Sequence, residues 1–244
     1  SGTTWTMGAL FATQSGLPLK VSLSGEALDA QDSFFPTVTT LGDILYAQGY
    51  QNVFMCGSDA AFGGRKTFFQ THGNYEVLDL NYMNAYDKLP AENYHDDWWG
   101  FEDEYLFEFA KEKLTELGNS GKPFNLNMLT VDTHFEDHPT MDSDFLLDID
   151  EDYDRRVFTA YINSARTYNG EKRQYSSFDT FPTLLASIGA DIEGDKLGLG
   201  VNLYSSSSTL TEEMGVKGIN DKLIAKSEFM ENLSSQSSED GSDE

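Results

Sequence analysis

Apolar and polar positions alternate along this chain in a way that predicts an α/β domain. Residues 4–15 (TWTMGALFATQS) set Leu10 and Phe11 among small residues, which predicts a helix ending near Gly16-Leu17-Pro18. In residues 39–48, Leu41, Ile44, Leu45 and Ala47 recur at helical spacing and Gly49 supplies the stop. Asn52 to Met55 reads as a short buried strand that opens a βα step. Residues 63–72 predict a helix closed by His72-Gly73, and Tyr75 to Leu80 a second strand. The clearest helix is 101–118, with Phe101, Tyr105, Phe109, Leu114 and Leu117 on one face and Lys or Glu on the other. Gly118 and Gly121-Lys122-Pro123 end it, and Phe124 to Val131 follows as a buried strand. Helix, turn and strand in that order predict a parallel sheet. A further helix is expected at 178–188, with Asp179 as N-cap and Pro182 in the first turn. Composition falls to mostly Ser, Asp, Glu and Gly over 205–208 and 234–244, and the second stretch reads as a disordered tail. No internal repeat interrupts this order, so one domain is expected.

Composition narrows the function classes. A chain of 244 residues is long enough for a sizeable core, and 39% apolar with 13% aromatic residues fits a globular domain. Sixteen Lys and Arg against 41 Asp and Glu leave a net charge of −25. Such a surface repels phosphate backbones, which excludes a nucleic-acid partner and suits divalent cations or cationic partners. A single cysteine, Cys56, excludes a disulfide framework and a cysteine-built zinc site. No run of 18 apolar residues is present, so no membrane span is expected, and Ser1 to Thr6 lack the charged and apolar regions of a signal peptide.

Parallel sheets carry their chemistry at the carboxyl ends of their strands. The strand ending near Val131 runs into Asp132-Thr133-His134-Phe135-Glu136-Asp137-His138, which holds two of the four histidines. Imidazole and carboxylate together suit Zn²⁺, Mn²⁺ or Fe²⁺, and a solvated acidic loop is the alternative. Gly2-Thr3-Thr4-Trp5-Thr6 places hydroxyls before a helix, where a threonine is either a cap or a nucleophile activated by the helix dipole and a metal. Cys56-Gly57-Ser58-Asp59-Ala60-Ala61-Phe62-Gly63-Gly64-Arg65-Lys66 follows a strand and opens a helix, like a phosphate-binding turn. It fits neither the dinucleotide fingerprint nor the P-loop pattern, and its glycines equally suit a tight turn. Asp96, Asp97, Trp98 and Trp99 form either a substrate wall or an exposed helix end, and Met7, Met55 and Met128 read as core.

Five blocks in order resemble one family: GTTWTMGALFATQSGLPL, FGGRKTFFQTHG, WGFEDEYLFEFAKEKL, GKPFNLNMLTVDTHF and FDTFPTLLASIGADIEGDKLGLGVNLYS. They resemble the phosphoglycerol transferases that decorate membrane-derived oligosaccharides, relatives of the lipoteichoic acid synthases in the sulfatase and alkaline-phosphatase-like superfamily. The resemblance covers roughly residues 1–230 and implies an α/β sandwich around a central, mostly parallel sheet. It implies transfer of phosphoglycerol from phosphatidylglycerol to a glycan or polymer hydroxyl, outside the cytoplasmic membrane. Thr4 then occupies the place of the nucleophile and a metal ligand, Asp137 and His138 that of the metal-binding pair, and the ion would be Mn²⁺ or Mg²⁺. His134 and Arg65 take the places that hold the phosphoryl group, and Cys56 stands where the lipoteichoic acid synthases carry a histidine. The family's first strand, which brings a glutamate ligand, lies upstream of the nucleophile and has no counterpart in this sequence, nor have the membrane helices before it. THF and DHP, on separate strands in the family, are parted only by Glu136, so an internal segment is expected to be absent there. The expected domain is therefore a partial one over 1–230, with an acidic tail over 231–244. Within the superfamily, the alternative is a sulfate- or phosphate-ester hydrolase; GTTWT lacks the Pro and Arg of the C/S-x-P-x-R sulfatase setting. A non-catalytic remnant is the third reading.

Overall fold

The computed structural model describes residues 5–20, 28, 32–86, 88–89, 100–132, 159–168, 170–225 and 227–235. Among them, three strands form a parallel sheet in the order β2-β1-β3, with β1 (Gln51–Cys56) between β2 (Glu76–Leu78) and β3 (Phe124–Leu129). Before β1 come α1 (Thr6–Ser15) and α2 (Leu41–Ala47). A 3-10 turn at Phe62–Gly64 and α3 (Arg65–Thr71) connect β1 to β2, and α4 (Leu80–Ala85) and α5 (Asp103–Asn119) follow before β3.

Helices cover both faces of the sheet, so β1 is apolar on both sides and nearly all of it is buried. Phe54 and Cys56 join Met7, Phe11, Phe34, Phe35, Phe68 and Phe69 on one face, where Phe54 stacks on Phe69 at 4.0 Å. Val53 and Met55 meet Leu78, Met83, Phe101, Leu106 and Leu117 on the other. Each such side chain contributes roughly 1.5–3 kcal/mol by leaving water. β3 is expected to be buried and is instead half-buried throughout, because among the described strands it pairs with β1 alone. Its alternate positions carry opposite chemistry. Phe124, Leu126 and Met128 pack with the second cluster, while Asn125 and Asn127 donate to the Tyr75 hydroxyl at 2.8 and 3.3 Å.

Several boundaries differ from the sequence expectation for physical reasons. The predicted strand at 75–80 stops at Leu78, because Asp79 turns the chain and caps α4 by accepting the Tyr82 N–H at 3.0 Å. The long helix begins at Asp103 and buries Leu106, Ala110 and Leu117, whereas Leu114 is 42% exposed and Phe101 precedes the helix. The true stripe includes the stem of Lys113, whose ammonium reaches out to Glu76 and Glu116 at 2.7 and 2.9 Å.

The last third of the described chain braces the first helix. A 3-10 turn, Ser177–Asp179, leads into α6 (Thr180–Ser187). Asp179 stands at the N-cap position of α6 as expected, but its side chain serves the preceding turn, where it completes a capping box with Ser176 and accepts the Ser176 N–H at 2.8 Å. A short hairpin, β4 (Lys196–Leu197) with β5 (Gly200–Val201), packs beside α6, and its Leu199 N–H donates to Gly16 O at 2.8 Å. Gly16, at φ 69°, is the left-handed residue that ends α1. Two further helices that the apolar periodicity does not announce follow among the described residues. α7 (Leu210–Ile224) is kinked at Gly215, and α8 (Glu228–Ser235) extends into the stretch expected to be tail.

Candidate functional site

The chain crosses the carboxyl end of β1 in a turn held by the Gly100-Phe101 segment and by the side chains of Arg65 and Asp79. Phe101 N–H donates to Gly57 O at 2.9 Å, and Ser58 bridges to Gly100. A Cβ on Gly57 would meet Phe101 O at 2.5 Å, so the two segments approach as closely as they do only because that position has no side chain. Gly63 and Gly64 both lie in the left-handed region, at φ 71° and 73°. They reverse the chain into α3, with Phe34 and the Leu28 carbonyl packed against Gly64.

Of the site residues that the resemblance implies, Arg65 alone lies among those described, and it is 3% exposed. Its Nε donates to Phe62 O at 2.9 Å and Nη2 to Asp59 O at 2.6 Å, with Phe62 lying 5.7 Å under the guanidinium. Two of the five donors of the fork thus fasten the turn itself. Cys56, at the strand end, is buried with its Sγ 3.3 Å from Ser58 O. Burial pushes its thiol up to about 12, although Arg65 pulls the other way. It is an apolar packing residue rather than a thiolate ligand.

Two aspartates missed by sequence reasoning organise the neighbouring strand ends. Asp79, 3% exposed, accepts the Ala60 and Tyr82 amides at 3.0 Å each, tying the β1 turn to the start of α4. Asp103 accepts Val131 N–H at 2.7 Å and Asp132 N–H at 3.3 Å, while Asp132 accepts Asp103 N–H at 3.0 Å. That exchange fixes the exit of β3 against the start of α5. Both aspartates open a helical pattern, which is the signal that marks them in sequence.

Thr4, His134, Asp137 and His138 lie outside the described residues, as do Asp96, Asp97, Trp98 and Trp99. What the structure fixes are the elements next to them: α1 begins two residues after Thr4, and the described chain leaves β3 at Asp132. Among the described residues no group of three or more His, Cys, Asp and Glu side chains is arranged to hold a metal ion. None of the described helices is long and apolar enough to cross a membrane.

Comparison with known proteins agrees with this architecture. The family model described as Sulfatase matches residues 1–170. Phosphoglycerol transferase I of Escherichia coli (strain SMS-3-5 / SECEC) is 38% identical over 136 residues, which is 56% of this chain and 17% of the relative. The protein of the same name from Citrobacter koseri matches to the same extent. The chain thus spans less than a fifth of the length of these relatives. A crystal structure of a protein in the alkaline phosphatase superfamily from Vibrio parahaemolyticus superposes with a TM-score of 0.53 at 21% identity. It covers 84% of this chain and 59% of that one, and so shares its fold. The parallel sheet, the helices on both faces and the match over 1–170 together mean that this chain belongs to the sulfatase family.

Proposed function

We propose that this chain carries part of the machinery that transfers phosphoglycerol from phosphatidylglycerol to a hydroxyl of a glycan or polymer, at the outer face of the cytoplasmic membrane. The observation that carries this reading is the 38% identity to phosphoglycerol transferase I, within a family match that includes the GTTWT run. Thr4 is the nucleophile. It precedes α1 by two residues in sequence, and the positive end of a helix dipole favours negative charge.

In the first half-reaction the Thr4 oxygen bonds to phosphorus while the bond from phosphorus to the diacylglycerol oxygen breaks, and diacylglycerol leaves with the proton. In the second, the acceptor hydroxyl bonds to phosphorus, the threonine–phosphorus bond breaks and Thr4 regains a proton. Arg65 and His134 hold the phosphoryl oxygens. For Arg65 this means using the donors of its fork that the Asp59 and Phe62 carbonyls leave over. Mn²⁺ or Mg²⁺, held by Thr4, Asp137 and His138, supplies Lewis-acid stabilisation of charge when bound. Its support is the resemblance, since those three residues lie outside the described ones and the described side chains form no cluster for it.

The test follows diacylglycerol release and acceptor labelling from headgroup-labelled phosphatidylglycerol with Mn²⁺ present. This chain as it stands is expected to turn over little or nothing; with the segments expected to be absent restored, Thr4→Ala is expected to abolish both, and mass spectrometry of the unsubstituted protein to find glycerophosphate on Thr4. A variant that kept about a tenth of the rate would overturn the covalent route, because nothing replaces the attacking oxygen. Release of free glycerophosphate at the same rate with or without acceptor would instead favour the hydrolase reading.

A further inference from the structure

His72 ends α3 and is 2% exposed, with both ring nitrogens facing oxygen. Nδ1 lies 3.0 Å from Asp43 Oδ2 and Nε2 lies 2.7 Å from the Phe34 carbonyl oxygen. A carbonyl and an ionised carboxylate can only accept, and a neutral imidazole carries a single N–H. A neutral ring would therefore satisfy one partner and turn a bare lone pair toward the other. Asp43 is the ionised partner this arrangement needs. Burial pushes its carboxyl up, but the bonds from His72 and Thr40 outweigh that and hold it below the usual aspartate value.

We infer that the folded chain holds His72 as an imidazolium donating from both nitrogens, and that this buried cation is a proton-dependent latch fastening residues 34–38 to α2 and α3. The latch has consequences because of what Phe34 touches. Its N–H donates to Thr71 Oγ1 at 3.2 Å, and its ring packs on Phe11, Phe35 and Phe68 and against Gly64, the residue before Arg65. The groups facing the ring are Asp43 from α2, the Phe68 ring of α3 at 5.1 Å, and the Phe34 carbonyl. Asp43 also takes the Thr40 N–H and hydroxyl at 2.8 and 3.0 Å. Tyr75 feels the charge of Asp43, but burial above all pushes its hydroxyl up, so it stays neutral. Loss of one ring proton as pH rises replaces a hydrogen bond by repulsion and frees Phe34. Protonation of Asp43 at low pH opens the same latch from the other side.

The test is a long-range ¹H–¹⁵N spectrum of the ¹⁵N-labelled wild-type chain near neutral pH, with the His72 signals assigned by their loss in His72→Gln. Both ring nitrogens are expected in the protonated range, and the Phe34 amide is expected to lose its protection from hydrogen exchange as the ring titrates. Amides of β1, Phe54 and Met55 among them, should keep theirs. Asp43→Asn, which preserves shape and removes the charge, is expected to leave one ring nitrogen unprotonated at the same pH. One unprotonated nitrogen in the folded wild type overturns the inference, and so does Phe34 protection that ignores the titration. A doubly protonated ring in Asp43→Asn overturns the pairing on which the latch depends.

Discussion

Replacing Asp179 by alanine tests the bracing of α1 most directly. The residue is 1% exposed, and its two oxygens accept Val201 N–H at 2.8 Å, Ser176 N–H at 2.8 Å and the Ser176 hydroxyl at 3.1 Å. Alanine leaves the Val201 amide buried without a partner, a loss of about 2 kcal/mol. It also removes the capping box, which adds about 1 kcal/mol. Ser176 is half-buried, so water can reach its freed N–H and no further penalty is added. The sum, about 3 kcal/mol, corresponds to roughly 6–12 °C in melting temperature for a chain of this size. Burial raises the Asp179 carboxyl above its ordinary value despite the bonds it accepts. A raised carboxyl contributes fully below the unfolded value and loses that contribution as pH rises through the folded one. The deficit of the variant should accordingly be larger in mild acid than at neutral pH. Urea unfolding followed by circular dichroism gives the free energy, and hydrogen exchange reads the Val201 amide itself. A loss below about 1 kcal/mol, or a Val201 amide as protected in the variant as in the wild type, would refute the assignment of that bond.

Two further outcomes follow from the electrostatics of buried and paired groups. Hydrogen bonds from Arg173 hold the Glu212 carboxyl down at about 2, so its contribution should be intact above the ordinary glutamate range and fade as pH falls toward that value. The pair is partly solvated, which limits the effect to about 0.2–1 kcal/mol; comparing acid unfolding of wild type and Glu212→Gln reads it, and identical curves would refute it. Cys56, 1% exposed and with its thiol pushed up to about 12, should react with a thiol reagent only at the rate of global unfolding. Complete labelling of the folded chain within minutes would contradict that.

Legibility from sequence tracked how local the determining forces are. β1 and β3 declare themselves because short apolar runs bounded by Gly and Pro have few alternatives to a buried strand. The face of α5 is misread because its rotation is set by the Asp103–Asp132 exchange and by Lys113 reaching Glu76, partners distant in sequence. α7 does carry a local signal, the Thr209-Leu210-Thr211-Glu212 capping box, but Gly215 breaks the period that would support it. At the candidate site, the turn after β1 is foreseen as a turn, yet the two bonds by which Arg65 also fastens its own loop leave no mark in the sequence. The Asp43–His72–Phe34 arrangement leaves no trace in spacing, since its members come from three separate segments. Thr4, His134, Asp137 and His138 rest on motif resemblance and lie outside the described residues.

The clasp between Leu199 and Gly16 bears on how the protein is made as well as on how it stands. α1 precedes the whole sheet in the chain, whereas the residues of α6 and the hairpin that pack beside it are translated only after the sheet's last strand. Met7 and Phe11 find partners in Phe34, Phe35, Phe68 and Phe69, but the side of α1 that meets α6 and the hairpin stays open while the intervening chain is still being synthesised. Contacts of such long sequence separation slow folding, and the side of α1 that faces α6 spends that interval uncovered. The helix next to the proposed nucleophile is thus among the last to reach its final surroundings, and nascent chains stalled before residue 180 should be those that most depend on chaperones.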